Sequence, residues 1–428
     1  MRLLIEQGRV VDPAQGLDRV TDLFIQGGEV VALDTPPEGF TPDRRIDARG
    51  HLVLPGLVDL AARLREPGDE NKATIASETR AAASGGITTL VCPPDTHPPV
   101  DSPAQIELIH RRAKQACGVR VHPLGALTAG LQGRQLSDMA ALKRAGAVGM
   151  SQALQPVESP MLLRRALEYA ASHDITVFLH PIDHALAGAG CVHEGRVATR
   201  LGLPGIPEAA ETAALGLLLA LVAQTGARIH LCRLSTARGA ALVARAAADG
   251  LAVTADVCAH QLFLTEADVE DFNALCHVLP PLRTRADRDG LRQAVAEGHI
   301  QAICSDHQPH EADAKLAPFP ATEAGVSALE TLLPLTLRLV EEGVLPLLEA
   351  VRRITRGPAD ILGMPLGTLA PGTRADLILV DPQRPYAPAA ERWYSAGHNS
   401  PFLHWRFQGR VTHALSGGRV IHETAGRD

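Results

Sequence analysis

The residues able to do chemistry in this 428-residue chain gather in short segments, each at the end of an apolar run. LHPID (179–183) carries His180, with His184 just beyond. AICSDHQPH (302–310) carries Asp306, His307 and His310. IHLCRLST (229–236) carries Arg233, and LVDLAARLREPG (57–68) carries Arg63 and Arg65. Histidine and aspartate can ligate a metal or move protons, whereas a guanidinium stays charged and only donates. No histidine pair has H-E-x-x-H or zinc-finger spacing. None of the seven cysteines forms C-x-x-C, so they read as small buried hydrophobes in a reducing compartment. Two readings of the histidines stand side by side. His180 is either a hydrogen-bonded structural histidine or part of a mononuclear metal site with His184, His260, Asp306 and His307.

The elements that must position these groups follow from the pattern. Apolar runs at 57–63, 87–92, 120–127, 147–152, 175–180, 227–234, 251–257 and 300–306 alternate with helical stretches. Ser102 and Ser159 each precede a proline, the signature of a helix start. Eight strands alternating with helices predict an α/β fold, a (β/α)8 barrel over residues 55–365, with chemistry at the C-terminal strand ends. Residues 1–54 and 366–428 read instead as short strands with turns, Gly27–Gly28 among them. Both ends together predict one small β-sandwich domain. The acids outnumber the bases 48 to 41, which gives no reason to expect a nucleic acid or an anionic membrane as partner. No run of about 18 apolar residues exists and no secretion signal is visible, so a cytoplasmic protein is expected.

Within this frame the chain resembles the dihydroorotases of the amidohydrolase superfamily. LPGLVDLAARLREPG matches a family segment with two histidines spaced i, i+2, which from a strand reach one metal. Those two positions are Ala61 and Arg63 here. CPPDTHPPVD (92–101) resembles a substrate-carboxylate loop, with Asp95 at the asparagine position, where it would repel a carboxylate. GMSQALQPV (149–157) places Ala153 where a metal-bridging acid is implied, and IHLCRLST places Arg233 at a ligand position. Leu279 stands at the asparagine position before Pro280 and Pro281. GLPGIPEAAET, AICSDHQPH, LGTLAPGTRADLILVDP and HNSPF extend the likeness along nearly the whole chain. Of the implied ligand set only His180 and Asp306 remain. Zinc needs three protein groups plus water. The resemblance therefore implies a lost zinc site, no cofactor and no catalysis, with His180 and Asp306 vestigial.

A carboxylate left without its metal is costly to bury. Arg63 and Arg233 are therefore expected to supply the missing positive charge to Asp306. Together with Arg65, which matches the family's substrate-carboxylate residue, they could instead hold a small anion. The resemblance extends to inactive dihydroorotase-like chains of some bacteria that bind aspartate carbamoyltransferase, the preceding pyrimidine enzyme. It implies a hetero-oligomer with aspartate carbamoyltransferase catalytic chains. The alternative is an active cyclic-amide hydrolase with an atypical or mononuclear metal site.

Overall fold

A computed structural model of the chain describes residues 1–424. Eight short parallel strands close into a barrel, joined by helices. They are Leu57–Asp59, Ile87–Cys92, Arg120–Pro123 running on into Gly125–Ala126, Met150–Ser151, Val177–Leu179, Ile229–Leu231, Val253–Cys258 and Ala302–Cys304. Neighbours pair in parallel, for example Phe178 with His230 and Asp256 with Ala302. The last strand meets the first through a bridge between Ala62 and His307, where Arg63 N donates to His307 O at 2.9 Å and His307 N to Ala61 O at 3.1 Å. The expected α/β barrel with a β-sandwich is the fold observed.

Most strands are shorter than their apolar runs. The run 57–63 is continuous strand only to Asp59, where side-chain bonds interrupt a ladder that resumes at Ala62. The Asp59 carboxylate accepts from Ser305 N at 2.9 Å and from the Ser305 hydroxyl. In the run 147–152, Ala147 N bonds back to Leu142 O and closes the preceding helix, leaving only Met150–Ser151 as strand. Helices do start at the serine–proline pairs. Ser159 Oγ accepts from Leu162 N at 3.1 Å ahead of Pro160–Ser172, and Ser102 bonds Gln105 ahead of Pro103–Gln115. With so few aromatic residues, the barrel core is filled by Ala, Leu, Val and Ile.

Both chain ends build a second unit. Its eight-stranded sheet joins Arg2–Asp12, Leu17–Gln26, Glu29–Leu33, Arg44–Asp47 and Leu52–Pro55 to Leu377–Tyr386, Phe407–Ser416 and Arg419–Glu423. It has its own core, which includes Leu3, Ile5, Leu23, Val53, Leu377 and Leu415. Gly27 and Gly28 turn the Leu17–Leu33 hairpin with φ of 65° and 93°, a conformation that a two-residue hairpin loop demands. Asn399 ties this C-terminal region to the barrel mouth. Its amide donates to Gln308 O at 2.9 Å and Gly325 O at 3.0 Å, and its oxygen accepts from His310 N at 2.8 Å. Among the described residues no helix is long and apolar enough to cross a membrane. All seven cysteines are free thiols.

Candidate functional site

The C-terminal strand ends bring Arg63, Arg233 and Asp306 together in the barrel mouth, exposed by only 7%, 5% and 2%. Arg233 Nη1 donates to Asp306 Oδ1 at 3.1 Å, and Arg63 Nη1 approaches the same oxygen at 3.4 Å. Gln308 Nε2 donates to Asp306 Oδ2 at 3.1 Å. Burial works against the Arg233 charge, but the Asp306 carboxylate favours it, and its pKa is raised. Asp95, read above as a repulsive residue, is instead an ion-pair partner. Arg63 Nε donates to its Oδ2 at 2.8 Å. Burial opposes ionisation of Asp95, yet Arg63, Arg65 and Arg233 hold its pKa below the usual carboxylate value. Arg65 turns away to Pro309 O at 3.0 Å and His310 Nε2 at 3.1 Å. The space enclosed by Arg63, Arg65 and Asp95 is about 10 Å³, room for about one water.

The backbone at this mouth is unusual. Arg65, Ala153, Arg233 and Asp306 all have left-handed φ, at 63°, 53°, 59° and 47°. Such strain in non-glycine residues costs roughly 1–2 kcal/mol each and concentrates at functional sites.

His180 lies beside Ala153 on the wall of a larger cavity of about 430 Å³. The cavity opens between the 152–159 loop and the helix Ala209–Thr225. His180 Nδ1 sits 3.1 Å from Cys232 O, which fixes the proton on Nδ1 and leaves Nε2 buried with a bare lone pair. Burial, then Arg233, holds its pKa well below the usual histidine value. His260 is buried with neither ring nitrogen partnered. His307 is fully engaged, since Nε2 donates to Glu78 at 2.8 Å and Nδ1 accepts from Ala328 N at 3.0 Å. His184 is exposed at the start of a short helix. His193, on the same connection, accepts from Arg283 at 3.0 Å.

The ligand positions do not fit the zinc centre implied above. Ala61 and Ala153 have no donor, and Arg63 and Arg233 are cations. Among the described residues, three metal-type donor atoms come within 4.8 Å of one another only at His230, Cys232 and Asp256. Sequence reading did not single out this group. His230 Nε2 already bonds Asp256 Oδ2 at 2.9 Å, and Asp256 Oδ1 accepts from Arg233 N. Burial pushes the Cys232 thiol pKa up, so a metal there would have to displace both that hydrogen bond and the thiol proton.

The comparisons with known proteins follow this geometry. The dihydro-orotase-like family pattern matches residues 50–238. A dihydroorotase-like protein of Pseudomonas aeruginosa is 51% identical over 423 residues, 99% of this chain and 100% of that protein. The chain belongs to the dihydroorotase-like family. A dihydroorotase of Syntrophus aciditrophicus is 39% identical over 424 residues, again 99% of this chain and 100% of that protein. Among solved structures, the L-hydantoinase of Arthrobacter aurescens superposes with a TM-score of 0.89 at 24% identity, covering 98% of this chain and 96% of that one. The dihydropyrimidinase of Brevibacillus agri gives 0.86 at 23%, covering 99% and 95%. The fold of this dihydroorotase-like chain is thus that of the hydantoinase-type amidohydrolases.

The buried histidines give the dihydroorotase-like chain a signed pH response. Burial lowers His122, His260 and His277 to about 4 and His310 to about 3, with His180 also well below normal. Below about pH 6.5 the unfolded chain protonates these five and the folded chain does not, so stability falls with acid. Asp59, raised by burial to about 7, and Glu330, raised to about 8, act in the opposite sense. His184, His193, His413 and His422 are lowered too, and Glu211 and Glu266 raised, so the lowered histidines outnumber the raised acids and unfolding takes up protons near pH 5.5. Chemical denaturation between pH 7 and 5 should show this slope. A flat profile would mean that the histidines are charged in the fold.

Proposed function

We propose that this chain is a catalytically inactive dihydroorotase-like protein of pyrimidine biosynthesis, and that it serves as a structural or regulatory partner of aspartate carbamoyltransferase catalytic chains. The observation that carries the inactive reading is Asp306 bound by two guanidiniums, from Arg63 and Arg233, where a metal-dependent hydrolase needs cationic metal and open coordination. With no Lewis acid there, nothing polarises a cyclic amide carbonyl or lowers the pKa of a water. The likeness to the dihydroorotase-like protein of Pseudomonas aeruginosa, at 51% identity over nearly the full length, supports a role separate from that of an active dihydroorotase. The partnership rests on the resemblance described above. Multi-angle light scattering of the chain mixed with carbamoyltransferase from the same source tests it. A single species heavier than either protein alone is expected, and two unchanged peaks would refute it.

A second reading, an active cyclic-amide hydrolase with an atypical metal centre, is favoured by the His230–Cys232–Asp256 group and by relatives named dihydroorotase. Hydrolysis of dihydroorotate by zinc-reloaded protein, abolished in Cys232→Ala, would establish it in place of the first.

A further inference from the structure

Outside the barrel mouth, the C-terminal region carries a second concentration of unpaired positive charge. Arg384, Arg392 and Arg410 line one recess of about 450 Å³, with Trp393 and Tyr394. Several arginines elsewhere in this region are paired. Arg44 meets Glu423, Arg338 meets Glu342 and Arg374 meets Asp376, each at 3.0 Å. Among the described residues, no acid comes within ion-pair distance of the three that line the recess. Arg384 Nη2 is also buried without any hydrogen-bond partner. A guanidinium N–H withdrawn from water needs an acceptor. The one acid of the lining, Glu391, is exposed and forms no ion pair with the three arginines.

Two aromatic residues, Trp393 and Tyr394, share the wall with Glu391 and Thr424. Trp393 is fixed by its ring N–H, which donates to Ser327 Oγ at 3.1 Å and Gly397 O at 3.0 Å. Tyr394 is 49% exposed, standing edge-on to His422 at 5.6 Å. The Arg410 guanidinium lies 5.7 Å from the Tyr386 ring. We propose that this recess binds a nucleoside polyphosphate, with the phosphates on the three arginines and the base against Tyr394. Three cations match a chain of phosphates better than a single one. An exposed tyrosine face offers stacking to any base. The volume falls within the range of about 300–1,000 Å³ typical of small-molecule sites. The inference is independent of whether the barrel is catalytic, since no residue of the mouth lines the recess.

Isothermal titration of the full chain with ATP, UTP, tripolyphosphate and adenosine tests the assignment. At least one of the two nucleotides should bind at one per chain, tripolyphosphate at least tenfold more weakly, and adenosine without measurable heat. Arg392→Gln, at an exposed position, should weaken nucleotide binding at least tenfold with an unchanged circular dichroism spectrum, and Arg410→Gln should do the same. Arg65→Gln should leave it unaltered. Absence of binding by both nucleotides would overturn the proposal. So would tripolyphosphate binding as tightly as the nucleotide, or a loss caused by Arg65→Gln in place of Arg392→Gln.

Discussion

Replacing Arg233 with alanine lowers unfolding stability by about 3 kcal/mol, read as a fall in the denaturant midpoint. The variant removes the guanidinium 3.1 Å from Asp306 Oδ1 while leaving that carboxylate 2% exposed. Breaking a buried pair from one side costs about 3–5 kcal/mol, because the remaining charge has lost both water and partner. Arg63 at 3.4 Å and Gln308 at 3.1 Å still face Asp306, which places the cost at the lower end. The double variant Arg233→Ala with Asp306→Ala should recover part of the loss, since no bare carboxylate is left behind. An Arg233→Ala midpoint equal to that of the parent chain would remove the counter-charge role altogether.

Protein produced in zinc-supplemented medium and washed without chelator should carry close to no zinc per chain, and its rate with dihydroorotate should match the buffer blank. Enzymes of ordinary proficiency exceed the uncatalysed rate by roughly 10⁶-fold or more, so the difference from an active hydrolase is easily measured. The reason is chemical. A metal-bound water ionises near neutrality because the cation stabilises hydroxide, whereas Arg63 and Arg233 only donate hydrogen bonds and are already committed to Asp95 and Asp306. Elemental mass spectrometry giving one held equivalent would redirect attention to His230, Cys232 and Asp256, and would overturn the inactive reading if turnover accompanied it.

Much of this molecule was legible from its sequence, and the illegible part has a physical pattern. The barrel was visible because strand and helix alternate and parallel strands bury both faces, leaving uninterrupted apolar runs such as ITTLVC. The ends of those runs are not visible in the sequence because apolarity continues where regular pairing is interrupted, as after Asp59, whose side chain bonds Ser305 across 246 residues of chain. The ligand positions Ala61, Arg63, Ala153 and Arg233 could be named from the resemblance, since residue type alone decides what can ligate. Which charges meet could not. Asp95 looked repulsive against a substrate, and only the fold places it 2.8 Å from Arg63. His307 looked available, and only the fold shows it held by Glu78, 229 positions away. His230 and Asp256 went unnoticed because each lies within an apolar strand, where spacing along one strand says nothing about its neighbour.

The way Arg63 is shared between Asp95 and Asp306 bears on how such a chain could change over evolutionary time. A histidine at this one position would strip Asp95 of its 2.8 Å partner and take from Asp306 one of its two cations. A first step from Arg233 meets the same difficulty at Asp306. Each such single change thus passes through a less stable protein, so the shared ion pairs hold arginine at both positions against stepwise replacement.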